Sequence, residues 1–132
     1  MTELTITTSQ IQGDVSVTIF HLKGHLHGAT ENQLLDHARQ LHEDGAHHLL
    51  LDLSDLEVLS SAGLRAIQNI FKLFTPHSDI ELMHQHGQEQ YKSPYVKLVC
   101  PNPQIYYVLN ITGFIQNIFV YNNLDEAAKS FG

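Results

Sequence analysis

The sequence predicts an α/β fold: a small mixed, mostly parallel β-sheet that opens with an antiparallel hairpin and carries about four helices. Three observations predict it. Two runs rich in Thr, Ile and Val, residues 4–9 and 15–22, flank Gly13-Asp14, and in the second run Val15, Val17 and Ile19 alternate with Ser16 and Thr18. Alternation of that period is the mark of a strand, and a turn between two such runs makes a hairpin. Next, "HHLLLDLS" places four leucines in five positions without alternation, as in a central strand covered on both faces. Finally, strand and helix patterns alternate after the hairpin, in the order β-β-α-β-α-loop-β-α-β-α, which implies parallel strands joined by helices.

The elements follow in turn. "GHLHGAT" comes after the second strand, with Gly24 and Gly28 as breakers. Thr30 opens the first helix, and Gln33 three residues on completes a capping-box pattern. Leu34, Ala38 and Leu41, flanked by Leu35 and His42, form its apolar stripe, and Gly45 stops it. After the leucine-rich strand, Leu64, Ile67, Phe71 and Phe74 recur at helical spacing, and Thr75-Pro76 ends that helix. Residues 77–95 have weak periodicity, with room for one short element in a long loop. "KLVC" is a short strand. "PNPQIYYVLNITG" is a helix with Asn102 as cap, Pro103 at its first position, a stripe of Ile105, Val108 and Leu109, and Gly113 at its close. "IFVY" is a last strand, and "NNLDEAAKSFG" a terminal helix capped by Asn123, with Glu126 three residues later.

Composition narrows the function. The chain has 132 residues, which suits one domain, and at 42% hydrophobic it can bury a core. Fourteen acidic against seven basic residues give a formal charge of −7, which argues against a nucleic-acid partner and suits a protein that meets other proteins. The N-terminus has no basic region followed by an apolar one, and no run of about 18 apolar residues exists, so neither a secretory leader nor membrane insertion is expected. Cys100 is the single cysteine, so no intrachain disulfide forms and a reducing, cytoplasmic setting follows. The ten histidines are scattered, in pairs such as His25/His27, His47/His48 and His84/His86, without zinc-ligand spacing. They read as polar surface, and no metal or cofactor is expected. No P-loop, Gly-rich dinucleotide turn or G-x-S-x-G elbow is present, so the chain is not read as an enzyme.

The stretch "LDLSDLEVLSSAGLRAI" (51–67) carries the functional question. Ser60 and Ser61 stand where a buried strand runs into a helix. In open α/β sheets ligands and partners bind at that edge. A helix start also carries unpaired N–H groups and a positive dipole end that favour an anion. A phosphate on either hydroxyl would add nearly two negative charges there. Arg65, one helical turn along, lies within reach, and Gly63 keeps the approach open. Serine is equally a preferred N-cap, and one residue is able to serve both ends.

Together with the element order, this junction resembles the STAS domain of bacterial anti-sigma factor antagonists. The best-matching pieces are "LLLDLSDLEVLSSAGLRAI", in which a strand ending in Asp-Leu-Ser leads through a short connector to Ser-Ser-Ala-Gly-Leu, the early "GHLHGAT", and "NPQIYYVLNITGF". The resemblance implies a single domain over 1–132 with helices mainly on one side of the sheet. It implies a phosphorylated acceptor at Ser61, with Ser60 as the alternative, and a protein partner that is an anti-sigma factor and serine kinase. It places the partner-facing surface on Ser60, Ser61, Ala62, Gly63, Leu64 and Arg65, with His25 and His27. Many phosphorylated members carry Asp just before the acceptor, where this chain has Ser60. Residues 75–96 are longer than the usual link, and Met83, His84, His86 and Tyr91 there either shape a private partner surface or form a mobile excursion. A second role for the same fold is a cytoplasmic subunit of an ABC lipid-transport complex that binds the ATPase subunit.

Overall fold

A computed structural model describes residues 3–86, 92–111 and 114–131. Among the described residues five strands form one sheet, in the order β1-β2-β3-β4-β5. β1 (Leu4–Gln12) and β2 (Ser16–Leu26) are the expected antiparallel hairpin, paired from Leu4↔Gly24 to Gln12↔Ser16. β3 (Leu49–Leu59), β4 (Val96–Val99) and β5 (Val120–Tyr121) continue the sheet in parallel. The helices are α1 (Glu31–Glu43), α2 (Ser61–Phe74), α3 (His77–His86), α4 (Pro103–Ile111) and α5 (Leu124–Lys129), with a 3-10 turn at Phe114–Asn117. Among the described residues no helix is long and apolar enough to cross a membrane.

The leucine run is the central strand, and its unbroken apolarity has a physical cause. Leu49, Leu51 and Leu53 face the main core with α1, α2 and α4. Leu50 faces the other way, into a smaller cluster with Val17, Ile19, Val99 and Ala127 of α5. Both faces are dry there, so both demand apolar side chains. Farther along β3 the second face carries Asp52 and Ser54 instead.

β3 is longer than the sequence suggested. The connector after Asp-Leu-Ser is strand, paired through Lys23↔Asp55, Gly24↔Leu56 and Leu26↔Leu59, with irregularities that shift the register. Gly24 correspondingly does not break β2. It lies within it at φ +105°, where an added Cβ would stand 2.2 Å from the Glu3 carbonyl oxygen. Only glycine fits that close left-handed contact, and the strand runs on to Leu26.

α1 begins without the expected capping box. Thr30 is at the N-cap but its side chain does not cap the helix. Its hydroxyl donates to the His25 carbonyl at 2.8 Å and accepts from the His27 N–H at 3.1 Å, while Gln33 donates to the Leu4 carbonyl. The backbone just before the helix has taken the Thr30 hydroxyl, and the distant Leu4 carbonyl has taken Gln33.

α2 buries Leu64, Ile67, Phe71 and Phe74 as its spacing predicted, with Ala66 and Ile70 between them. α3 occupies part of the stretch that had weak periodicity. It is polar nearly all round, with the pair His77–Glu81 on its surface. Met83, a candidate for a partner surface, is instead buried in the core at 9% exposure. The side chains of His84 and His86, and all of Tyr91 and Gly113, lie outside the described residues. α5 has its Asn123 cap, which accepts from the Glu126 N–H.

Not all histidines are plain surface. His42 meets Phe74 edge-on at 5.1 Å, and His48 packs on Tyr95 and Phe131 at 5.9 and 5.8 Å.

Candidate functional site

Because β2 and β3 run parallel, their C-terminal ends lie on one edge of the sheet, and the starts of α1 and α2 come with them. The joint is stapled through the backbone. The Ser60 N–H donates to the Leu26 carbonyl at 3.0 Å, tying the start of α2 to the end of β2. Ser60 is extended, at φ −98° and ψ 175°, and its hydroxyl accepts from the Gly63 N–H at 3.3 Å. Ser60 is therefore the N-cap. Ser61 is the first residue of α2 and is exposed. The two adjacent hydroxyls have separate places: one closes the helix end, the other points outward above it.

The next three residues of the expected surface face inward. Ala62 and Leu64 are buried at 9% and 7% exposure, and Gly63 is buried too. A Cβ on Gly63 would stand 2.7 Å from the Leu26 carbonyl oxygen and 2.8 Å from Leu59 Cδ1. The glycine therefore lets α2 sit tight on the strand ends rather than opening a path to solvent, which corrects the sequence reading. Ala62, Gly63 and Leu64 hold the rim in position; they are not its outer face.

Arg65 is on the outer face at 64% exposure, and its guanidinium lies 3.6 Å from a Glu31 carboxylate oxygen. That pair bridges the first turns of α2 and α1. His25, at the end of β2, contacts Glu57 of β3 at 3.3 Å, and its ring packs edge-on against His27 at 6.1 Å. The Ala29 N–H donates to His27 Nδ1, and Thr30 holds the backbone of the same loop. The "GHLHGAT" loop is thus fixed against the start of α2, and Gly28 stands opposite Ala62.

Glu31, Glu57 and Val58 complete the rim, the last a 39% exposed apolar side chain. Sequence reading missed all three. Glu57 and Val58 lay in what read as a connector, and the partnership of Glu31 with Arg65 spans two helices. The rim so assembled carries an exposed hydroxyl at a helix mouth, one paired cation, two carboxylates and two histidines. That equipment suits recognition of another protein and the gain or loss of an anion. Among the described residues no three His, Cys, Asp or Glu side chains converge as metal ligands do.

Comparison with known proteins agrees with this architecture. The model of the STAS domain matches residues 8–83, more than half the chain, so the chain belongs to the STAS domain family. Its structure is similar to that of an anti-sigma factor antagonist from Mycobacterium paratuberculosis, at 20% identity and TM-score 0.72, covering 96% of this chain and 94% of that one. It is similar to a putative anti-sigma factor antagonist from Thermotoga maritima, at 22% identity and TM-score 0.70, covering 94% and 93%. It also resembles the Bacillus cell fate determinant SpoIIAA in its phosphorylated form, at 12% identity and TM-score 0.59, covering 93% and 97%. At such identities the likeness is one of fold. No curated protein matches the sequence.

Proposed function

We propose that this chain is a cytoplasmic anti-sigma factor antagonist, one STAS unit over 1–132 with an added segment at 75–96. Its partner is an anti-sigma factor that is also a serine kinase, and Ser61 is the hydroxyl that kinase modifies. One observation carries the reading: Ser60 makes the capping bond, which leaves the exposed Ser61 hydroxyl at the helix start without that structural duty. Phosphate there costs the fold little, because the first turn of α2 has no acidic residue and its dipole end favours an anion.

The same charge is costly in a complex. Glu31 and Glu57 already make the rim partly acidic. A doubly charged group added between packed surfaces breaks the pair through repulsion and desolvation, at a cost of several kilocalories. Loss of the acidic neighbour at position 60 leaves the cap intact, since Ser and Asp are equally good N-caps. The phosphoryl chemistry belongs to the partner, and this chain is its substrate.

Incubation with a cognate anti-sigma kinase and ATP tests the proposal. One phosphate is expected, mapped to Ser61 by mass spectrometry. Ser61→Ala should lose labelling and keep binding, and Ser61→Asp should bind more weakly. Labelling of Ser61→Ala at the wild-type level overturns the assignment and moves it to Ser60. Indifference to the kinase with co-purification of an ABC ATPase would assign the chain to the lipid-transport role instead.

A further inference from the structure

The second face of the sheet carries a side-chain array that the rim does not use. Period-two alternation puts Ile19 and His21 of β2 on this face, with Leu50 and Asp52 of β3. Ser9, paired with Ile19 on the edge strand β1, shares it. Past the cover of α5 these three polar residues join in a row. Ser9 Oγ is 2.9 Å from His21 Nε2. His21 Nδ1 is 2.9 Å from Asp52 Oδ2. The other carboxylate oxygen of Asp52 accepts from both the N–H and the hydroxyl of Ser54.

The carboxylate at one end of the row sets the donors along it when the His21 ring is neutral. Burial alone would raise the Asp52 carboxyl, but hydrogen bonds from Ser54 and His21 outweigh it and hold the group below its ordinary value of 3.8. Asp52 is therefore ionised and only accepts. His21 Nδ1 carries the hydrogen that faces it, so in the neutral ring Nε2 presents a lone pair and the Ser9 hydroxyl donates to it. A serine oxygen on a histidine base, with the base oriented by a fixed carboxylate, is the arrangement that activates a serine nucleophile on unrelated folds.

We propose that Ser9, His21 and Asp52 form such a relay, making Ser9 an acyl-accepting nucleophile toward small carboxylic esters. Ser9 Oγ bonds to the ester carbonyl carbon as its proton passes to His21 Nε2. The ester C–O bond breaks and the leaving alcohol takes that proton. Water then attacks the acyl carbon, giving its proton to Nε2, the acyl–Oγ bond breaks, and the proton returns to Oγ. Asp52 is the positioning residue, holding the ring and its tautomer. Ser9 is exposed on an edge strand and His21 is 34% exposed, so small acyl groups reach the oxygen. An open sheet face gives the developing oxyanion little shelter, a loss of about 10²–10³ in rate relative to a built cradle. The acylation step is accordingly what an experiment can read.

The test uses the full chain with p-nitrophenyl acetate and, as a trapping probe, a fluorophosphonate, which bonds phosphorus to Oγ and releases HF. Intact mass and peptide mapping should find the adduct at Ser9, forming at least about tenfold faster than at Ser16, an exposed serine of the same chain. His21→Gln should bring Ser9 down to the Ser16 level. Asp52→Asn should slow Ser9 at least about tenfold while leaving the Ser16 rate in the same chain unchanged, which a general loss of packing would not do. Labelling of Ser9 no faster than Ser16, or a rate in folded His21→Gln equal to wild type, would mean a cross-strand polar ladder only. The Ser9-to-Ser16 comparison is made within the wild-type chain, so it decides the matter even if a variant fails to fold.

Discussion

Gly63→Ala is the most informative single change to the rim. In an open helix it would stabilise, since alanine exceeds glycine by about 1 kcal/mol in helix propensity. Here the new methyl meets the Leu26 carbonyl oxygen at 2.7 Å, Leu59 Cδ1 at 2.8 Å and Leu26 Cγ at 2.9 Å. The first of these is backbone, and it already accepts the Ser60 N–H. Relief therefore requires α2 to move off the strand ends. Overpacking of this kind costs about 1–3 kcal/mol, and weakening the Ser60–Leu26 hydrogen bond adds about 0.5–1.5 kcal/mol. Set against the propensity gain, the net loss is about 1–3 kcal/mol, a fall of roughly 4–11 °C in Tm for a domain of this size. Gly28→Ala is the matched control, because its nearest contact would be Ala62 Cβ at 4.0 Å. Thermal unfolding of the two variants by circular dichroism reads the difference. A Tm for Gly63→Ala at or above wild type, or equal losses in both, would refute the close-approach argument.

Three further changes test neighbouring links. Ser60→Ala should cost about 1 kcal/mol in denaturant unfolding through loss of the cap, whereas Ser60→Asp should stay near wild type; equal losses would mean that the 3.3 Å bond to Gly63 contributes nothing. Leu64→Asp puts a carboxylate at a site 7% exposed among apolar side chains and should abolish the cooperative transition, a result contradicted by any folded, sharply melting variant. His48 is held below its ordinary value of 6.5 by burial, with His47 and Lys97 adding to the effect. In the window just below 6.5 the unfolded chain then binds more protons than the native one, so stability rises with pH there and is lost on acidification. His48→Gln should flatten that part of the stability curve, and an unchanged slope would assign it to other groups.

Much of the fold was legible because it rests on local patterning. The hairpin, the doubly covered leucine strand, the buried face of α2 and the cap at Asn123 each follow from spacing along a few residues. The failures share one cause. Gly24 looked like a breaker, yet its freedom serves a contact with Glu3 across the hairpin. Thr30 and Gln33 fit a capping box, yet bond to the β2–α1 loop and to β1. α3 has too even a polarity for its helix to stand out, and it is anchored by Met83 against a core assembled from distant segments.

The functional residues divide in the same way. The order of strands and helices, the family, and two hydroxyls at a helix mouth were all present in the linear chain, because adjacent residues share an element and its geometry. Which hydroxyl caps and which faces water was decided only by the backbone joint to Leu26. Arg65 met Glu31, and His25 met Glu57, only when the strands lay side by side. Ser9, His21 and Asp52 are separated by 12 and 31 residues, and no motif search joins them. Sheet register alone brings them within hydrogen-bond distance, since pairing, unlike periodicity, is a property of strands in contact and not of any one of them.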